Sequence, residues 1–480
     1  METDRFRILF ATSELTPWVK SGGLADVAYG LSRALVRRGH DVRVVMPHYE
    51  SLFGYGGPDR LVASTRIDGF RIDVLETKLD DLVVWLLRCP GLYARPGSPY
   101  ADPAGADWPD NDVRFGVFGR SLAWLAGHAP TPPFAPDVVH LNDWPSALAA
   151  PFVARAPERP GILFTIHNLG YQGLFGRDAF RRLSALLDMD PAWWAPEALE
   201  FHGQLSFIKA GLVFADRLST VSPGYAREIL TDELGFGLAG LLQHRAEDLH
   251  AIVNGIDSEH WDPAHDRFIA HHYDDDRLEI KKRNKTLLQR ELGLAAAPDR
   301  PLAVMISRLV PQKGIDLVLD ALPGILSLGA QLAVLGTGDA DYERRLQAAR
   351  TAHPGSVAFA RGMNEALAHR LEAAGDLLLM PSRYEPCGLN QLYSMRYGTI
   401  PVVRRTGGLG DTVNAATGFT FDEPSAGALL AALRAALAAY RDPPTWRGLQ
   451  QAGMRRDFSW DASAAAYERL YGELHERPAS

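Results

Sequence analysis

The chain has 480 residues, of which 46% are hydrophobic and 22% charged, a composition typical of a globular protein with two or three domains. A formal net charge of −8 argues against the chain-wide basic surface that nucleic-acid binding requires. The two cysteines, Cys89 and Cys387, are far apart, with no CxxC motif and no Cys/His cluster, which argues against a disulfide framework or a structural zinc site.

The N-terminal residues 1–7 are charged and lead directly into an apolar run. They do not resemble a signal peptide, and no apolar run in the sequence is long enough to span a bilayer. We therefore expect a cytoplasmic protein that has no membrane partner.

Short apolar, β-branched runs recur along the chain, each followed by turn residues and then by a helical pattern. In the first half the predicted strands are Arg7–Thr12, Asp41–Met46, Val83–Leu87, Val138–Leu141, Ile162–Ile166, Arg217–Val221 and Ala251–Val253. In the second half they are Leu302–Ile306, Gln331–Leu335, Val357–Ala360, Leu377–Met380 and Ile400–Val403. Strands of this kind predict parallel sheets covered on both faces, and two separate sets predict two doubly wound α/β domains.

The boundary between the domains is predicted at Asn254-Gly255, where a strand ends in turn residues. The predicted domains are therefore 1–254 and 255–456. Two helices are predicted in the second half, at Asp274–Gly293 and at Ala426–Tyr440.

Two Pro-rich stretches are predicted to be irregular. The first, Cys89–Asp112, contains Tyr100 and two further aromatic residues and is predicted to be a binding loop. The second is Ala129–Pro136.

Two facing α/β domains would form a cleft, and ligands of such sheets bind beyond the carboxyl ends of the strands. Lys20-Ser21-Gly22-Gly23 follows the first strand there and opens a helix, so its amides and Lys20 suit an anion. A tight turn is the simpler explanation of a glycine pair, and the spacing is not that of a Walker A motif. Asp143-Trp144 and His167-Asn168 follow other strands and suit a sugar, although a single histidine after a strand is more often structural.

The second domain carries three motifs at strand ends. Arg308 and Lys313 place two cations in one loop, which fits a diphosphate better than solvated surface residues. Glu385 precedes a Pro-Cys-Gly turn that opens a helix, so the backbone amides at 387–389 would suit sugar hydroxyls or phosphate, although a helix-capping Glu385 is the simpler explanation. Thr406-Gly407-Gly408 resembles a helix start that binds phosphate.

Other chemistries lack their sequence signatures. There is no Gly-x-Ser-x-Gly elbow of a hydrolase, and no His/Asp/Glu cluster has metal-ligand spacing. We therefore expect no metal, and Arg308 and Lys313 would supply the counter-charge of a diphosphate.

Taken together, these motifs resemble the bacterial glycogen synthase and plant starch synthase family over nearly the whole chain. The matching segments are Lys20–Leu24, His167–Gly173, Ser307-Arg308, Gln312–Gly314, Glu385–Leu389 and Thr406–Leu409. The resemblance implies a GT-B fold of two Rossmann-like domains, with a last helix in residues 457–480 that returns to the first domain. Ser459 is the predicted N-cap of that helix, which would extend to Leu474.

The resemblance also implies transfer of glucose from ADP-glucose to the non-reducing end of an α-1,4-glucan, either glycogen or a maltooligosaccharide. Anomeric configuration would be retained, ADP released, and no metal or other cofactor used. The resemblance does not indicate an oligomeric state.

Site residues are implied residue by residue. The expected catalytic residues are Arg308 and Lys313 at the departing diphosphate, Glu385 at the glucose ring and His167 beside the reacting sugar. The expected donor contacts are Lys20, Gly22, Gly23, Asp26, Asn254, Cys387, Gly388, Leu389, Thr406, Gly407 and Gly408. The expected acceptor contacts are Tyr100, Asp143, Trp144 and Asn168.

Two positions refine the resemblance. Many related glycosyltransferases have a second Glu eight residues after the first, whereas this chain has Tyr393, as glycogen synthases do. The family often has Tyr where this chain has Met363, so a softer thioether contact would replace any stacking of a ring on adenine.

Three alternative functions are weighed against this one. The first is a related transferase that uses UDP-glucose or makes another glucan, which a comparison of donors would separate. A non-catalytic glucan-binding protein would not need the intact set Lys20, Arg308, Lys313 and Glu385. A dinucleotide-dependent oxidoreductase is the weakest alternative, because Gly22-Gly23 lacks the third glycine of its fingerprint.

Overall fold

The computed structural model describes residues 5–52, 59–127 and 134–476, so most of the predicted irregular stretch Ala129–Pro136 lies outside the described residues. The chain divides into two compact units. Unit 1 consists of the residues up to Val221, Ala226–Gly255 and the residues from Trp460 onward. Unit 2 consists of Ser222–Tyr225 and Ile256–Ser459.

The short segment Ser222–Tyr225 groups with unit 2 through hydrogen bonds that its sequence does not reveal. Ser222 Oγ donates to the carbonyl oxygen of Pro386 at 2.6 Å. The amide of Gly224 donates to Asp411 Oδ2 at 2.5 Å.

The elements are as follows. The strands of unit 1 are β1 Arg7–Ala11, β2 Asp41–Pro47, β3 Arg60–Ile67, β4 Phe70–Leu79, β5 Leu82–Arg88, β6 Val138–Asn142, β7 Gly161–Ile166, β8 Leu174–Gly176, β9 Glu200–Phe201, β10 Gln204–Ser206, β11 Arg217–Thr220 and β12 Leu249–Ala251. The helices along this part of the chain are α1 Gly23–Arg37, α2 Pro90–Tyr93, α3 Asn111–Ala126, α4 Asp143–Ala147, α5 Ala149–Ala154, α6 Arg177–Leu187, α7 Phe207–Phe214, α8 Pro223–Glu228 and α9 Ala239–His244.

Unit 2 continues the same alternation of strands and helices. Its helices are α10 Lys281–Glu291, α11 Ile315–Ser327, α12 Ala340–Ala352, α13 Glu365–Ala374, α14 Asn390–Arg396, α15 Gly407–Thr412, α16 Ala426–Tyr440 and α17 Pro443–Met454. Its strands are β13 Leu302–Ile306, β14 Gln331–Gly336, β15 Val357–Arg361, β16 Leu377–Met380, β17 Ile400–Arg404 and β18 Phe419–Phe421. The last helix, α18 Trp460–His475, belongs to unit 1.

The main sheet of unit 1 has the strand order β12-β11-β7-β6-β1-β2-β5-β4-β3. It is parallel from β12 to β5, as predicted, but β4 and β3 add an antiparallel edge. A second, small antiparallel sheet joins β8, β10 and β9. The prediction of Ala251–Val253 was placed two residues late, because β12 is Leu249–Ala251.

The sheet of unit 2 is parallel throughout, in the order β15-β14-β13-β16-β17-β18. Alternate residues of β13 enter opposite layers of core: Leu302 and Val304 pack in one, and Ala303 and Met305 in the other. This confirms the prediction that the continuous apolar strands are covered on both faces.

The helix predicted at Ala426–Tyr440 is α16, where Ser425 caps the N-terminus by accepting from the amide of Ala428. The prediction of Asp274–Gly293 as one helix is wrong at its start. There Asp274 accepts hydrogen bonds from the amide and the guanidinium of Arg277, and this local turn delays the helix until Lys281.

Helix α18 packs inside unit 1. At its start the indole of Trp460 fills the space above Gly30 of α1. Further along, Tyr471 is hydrogen-bonded to His140 Nδ1 at 2.8 Å, and Glu468 pairs with Arg38 and His40. No helix in the described part of the chain combines the length and the apolarity needed to cross a membrane.

Candidate active site

In unit 2, the loops after β13 and β16 meet because of one glycine. Gly314 has φ +68°, and a Cβ at this position would collide with the carbonyl of Pro381. This close approach brings Lys313 beside Glu385, with Nζ 2.6 Å from Oε2 and 2.8 Å from Oε1. The two side chains are only 17% and 7% exposed, so the ion pair is largely shielded from water.

The loop after β17 joins them. The amide of Gly408 donates to the carbonyl oxygen of Glu385 at 3.1 Å, and a Cβ on Gly408 would collide with the backbone of Cys387. Ser382 Oγ donates to Glu385 Oε2 at 2.9 Å. Three predicted motifs of unit 2 therefore converge on Glu385.

The Pro-Cys-Gly turn is held from within. Gly388 has φ +73°, and Gln391 Nε2 donates to the carbonyl oxygens of Cys387 and Gly388 at 3.1 and 3.0 Å. Leu389 then forms the N-cap position of α14, and Thr406 that of α15 ahead of Gly407.

Arg308 lies on the same loop as Lys313, two residues beyond β13, and is half-buried. Leu309, the next residue, donates its amide to the carbonyl oxygen of Thr337 at 2.9 Å, which anchors the loop to the end of β14. The two cations predicted to face a diphosphate thus follow one strand of unit 2.

In unit 1, the glycine loop after β1 is built around a carboxylate that the sequence analysis missed. Glu14 is buried and accepts from the amides of Ser21 at 2.5 Å and Gly22 at 3.2 Å. Tyr100 OH also donates to it, at 2.7 Å. The amide of Gly22 that was expected to meet a donor anion therefore meets a side chain of the chain itself. Burial raises the pKa of Glu14.

Lys20 is paired with another predicted donor residue. Its Nζ lies 2.8 Å from Asp26 Oδ1, and Thr16 Oγ1 donates to the same oxygen at 2.9 Å. Because Asp26 is in the first turns of α1, the pair ties the loop to its helix.

Asp143 joins the two predicted sugar-binding motifs. It has φ +53°, and its Oδ1 accepts from the amides of His167 at 2.8 Å and Asn168 at 3.3 Å. The structure thus brings the ends of β6 and β7 together. Burial raises the pKa of Asp143 to about 7, although the two amides act in the opposite direction.

The protonation of His167 follows from its neighbour. Asn142 donates its Nδ2 to the carbonyl oxygen of Ala11 at 3.0 Å, so its Oδ1 must accept from His167 Nε2, 2.9 Å away. Burial lowers the pKa of His167 to about 3. The ring is therefore neutral near pH 7 and its Nδ1 is an acceptor.

The predicted acceptor aromatics lie together. Trp144 packs edge-on against Phe115, with ring centroids 4.7 Å apart, and Tyr100 lies 5.9 Å from the indole. Gly173 has φ +60°, and a Cβ there would come within 2.5 Å of Trp144. Tyr100 comes from the predicted binding loop, which also contains the short helix α2.

Two further features concern polar groups away from these loops: Asn254, an expected donor contact, and a cluster of three potential metal ligands that the sequence analysis did not predict. Asn254 is buried, and within the described ranges its Oδ1 has no hydrogen-bond partner. His260, Glu365 and His369 offer ligand atoms within 4.8 Å of one another in unit 2, although the sequence analysis found no cluster with metal-ligand spacing. Met363, two residues before Glu365 in the chain, is 68% exposed.

Comparison with known families assigns both halves of the chain. Residues 7–244 match the starch synthase catalytic domain, and residues 293–447 match the glycosyl transferases group 1. The chain is 47% identical to glycogen synthase 1 of Methylococcus capsulatus, covering 97% of this chain and 96% of that protein. It is 48% identical to the glycogen synthase of Thioalkalivibrio sulfidiphilus, covering 98% and 99%.

Two solved structures are similar to the chain over nearly its whole length. The catalytic domain of starch synthase IV from Arabidopsis thaliana, solved with ADP and acarbose, has a TM-score of 0.90 and 32% identity, covering 99% of this chain and 100% of that one. The sucrose-phosphate synthase of Thermosynechococcus elongatus has a TM-score of 0.64 at 20% identity and shares the fold.

Proposed function

Because this chain belongs to the family of glycogen and starch synthases, it is a glycosyltransferase that uses ADP-glucose, and we propose that unit 2 binds the donor through Lys313, Arg308 and Glu385. The observation that carries this assignment is the shielded Lys313–Glu385 pair at the meeting point of three strand-end loops. The glucosyl unit goes to the non-reducing end of an α-1,4-glucan.

The chemistry requires positive charge at the leaving group. As the bond between C1 and the diphosphate oxygen breaks, negative charge grows on the diphosphate, and fixed cations stabilise that state more than the ground state. Lys313 has three N–H donors and uses two on Glu385, which leaves one for a phosphate oxygen. Arg308 supplies the second cation, so the transfer needs no metal ion.

We favour retention by front-side attack. The acceptor hydroxyl approaches C1 on the face that ADP leaves, the C1–oxygen bond breaks as the new one forms, and the departing phosphate oxygen takes the hydroxyl proton. The alternative, a covalent adduct on Glu385, is disfavoured because both of its oxygens are engaged by Lys313 and one also by Ser382.

Unit 1 supplies the polar and aromatic groups for the sugars. The neutral His167 would accept a hydroxyl hydrogen at Nδ1, while Tyr100, Trp144 and Asn168 would contact the glucan. We propose Lys20, Asp26 and Asn254 of unit 1 as further contacts of the donor, and Asn254 Oδ1, which has no partner among the described residues, as an acceptor for a hydroxyl group.

The assignment is tested by following ADP release with a maltooligosaccharide acceptor in the presence of EDTA. ADP-glucose is expected to support turnover and UDP-glucose to support much less. Equal use of both donors would overturn the donor assignment. Glucosyl-enzyme trapped on Glu385 would overturn front-side attack.

A further inference from the structure

We propose that His260, Glu365 and His369 form a binding site for a divalent transition-metal ion of the zinc class. All three belong to unit 2. Glu365 and His369 are four residues apart on α13 and so share one face of that helix, while His260 comes from the segment before α10. Their ligand atoms lie within 4.8 Å of one another.

His369 is prepared as a ligand by its neighbours. Its Nδ1 lies 2.9 Å from Asp266 Oδ2, and Tyr397 OH donates to the same carboxylate oxygen at 2.7 Å. Nδ1 therefore carries the hydrogen and Nε2 holds a lone pair. A carboxylate behind a ligating imidazole is the usual support of a metal-bound histidine, since it fixes both the tautomer and the ring orientation.

The surroundings of His369 Nε2 in the metal-free chain are unusual for a buried polar atom. His369 is 0% exposed, and its Nε2 has no hydrogen-bond partner in the part of the chain that the structure describes. Buried polar atoms rarely lack a partner, so this nitrogen needs an explanation. The indole of Trp261 stacks on the imidazole, with ring centroids 3.7 Å apart, and holds the plane of the ring.

The other two ligands face solvent and provide an entry path. The side chains of His260 and Glu365 are 35% and 53% exposed, and His260 Nε2 lies 2.8 Å from Glu365 Oε1. The bound ion would take the place of the proton they share, which leaves to solvent as the two ligand atoms separate slightly.

The ligand set selects the metal. Two imidazole nitrogens and one carboxylate suit Zn²⁺ and its neighbours, whereas Mg²⁺ and Ca²⁺ prefer oxygen ligands only. Three protein ligands leave room for water in the fourth position. The ion would bridge the start of unit 2 to α13 and so stabilise their packing.

The test is zinc binding to the full chain after treatment with a chelator. Competition with a chromophoric chelator is expected to show one tight zinc per wild-type chain, and Glu365→Gln is expected to weaken it at least about tenfold. The matched control is His265→Gln. His265 also pairs with a carboxylate, Asp262, at 2.9 Å but is 82% exposed and has no grouped third ligand among the described residues. This control should bind zinc like the wild type.

A second variant tests the support behind His369. Asp266→Asn is expected to weaken zinc binding by roughly 10–100-fold. Co²⁺ bound to the wild type should give a visible d–d spectrum that Glu365→Gln removes. The proposal is overturned if the wild-type chain binds no zinc under these conditions, or if Glu365→Gln and His265→Gln bind it equally well.

Discussion

Lys313 and Glu385 depend on each other, because both side chains are largely buried and each provides the counter-charge of the other. Loss of either partner leaves an uncompensated charge in a shielded place, which is costly. The pair also holds the ammonium in position before any ligand arrives. Such preorganisation is what makes a fixed cation effective when charge develops on a leaving group.

Removing the ammonium should therefore slow the chemical step. We expect Lys313→Ala to lower kcat by about 100–1000-fold, corresponding to about 2.7–4 kcal/mol of barrier, as for loss of a preorganised donor. Steady-state ADP release measures it. The control is Lys282→Ala, since Lys282 is an exposed lysine that also pairs with a carboxylate, Asp299. Near-normal turnover of Lys313→Ala would remove this residue from the mechanism.

Asp143 makes stability depend on pH. Burial raises its pKa from 3.8 to about 7, so between these values the folded chain holds a proton that the unfolded chain has released. The free energy of unfolding should then fall as pH rises through this interval, by an amount on the order of 4 kcal/mol for this group.

Asp143→Asn should remove that dependence, because the amide oxygen can still accept from His167 and Asn168 but does not titrate. Denaturant unfolding at pH 4 to 8 measures the free energy of unfolding of both proteins. We expect the variant to become more stable relative to the wild type as pH rises. Asp178→Asn, at an exposed ion pair with Arg181, is the control. A difference independent of pH would contradict the assignment.

At the scale of elements, the predictable parts of the fold were those with a strong local pattern. Strands such as Leu302–Ile306 are continuous apolar runs between turn residues, and they were predicted to the residue. Strand β3 was missed because it has no continuous apolar run: only Val62 and Ile67 are buried, and its other side chains are partly or largely exposed. Strands β8–β10 are too short for any period to show.

The residues of the candidate site were likewise predictable only where the sequence carries a local pattern. Glycine and charge patterns after strands identified Lys313, Glu385 and Gly408, which the structure brings together. Glu14 carried no signal, because its role depends on Tyr100, far along the chain. The cluster of His260 and His369 likewise exists only through tertiary packing.

One close contact of helix α18, between Trp460 and Gly30, should be disrupted by a small substitution. Gly30 leaves no room for a Cβ beneath the indole of Trp460, so Gly30→Ala should force the ring to move and cost about 1–3 kcal/mol. Urea unfolding followed by circular dichroism measures it. Gly448→Ala is the control, because Gly448 is also helical but has open space around it, and there alanine should be neutral or stabilising.

A double-mutant cycle identifies the cause. In a Trp460→Leu background, Gly30→Ala should cost less, since the rigid ring is gone. An equal cost in both backgrounds would show that the indole is not the obstacle.

At the scale of the whole molecule, the residues proposed to hold the diphosphate and the glucose of the donor lie in one unit. Arg308, Lys313, Glu385 and Thr406 all lie in unit 2, whose sheet is parallel throughout. Unit 1 has a mixed sheet and contains the first and last stretches of the chain. A ligand that binds chiefly through its diphosphate should therefore stabilise one unit more than the other.

Hydrogen exchange of the full chain with and without ADP measures this asymmetry. We expect ADP to slow exchange most at 311–314, 387–389 and 406–410 in unit 2, because binding to the folded form opposes local opening. At an ADP concentration of a hundred times the dissociation constant, the stabilisation is about 2.7 kcal/mol. Amides that exchange only when the site opens should then exchange roughly 100-fold more slowly. Adenosine, which lacks the diphosphate, should protect these segments far less. In Lys313→Ala, ADP and adenosine should give similar protection. Protection by ADP confined to unit 1 would place the diphosphate elsewhere than at Arg308 and Lys313.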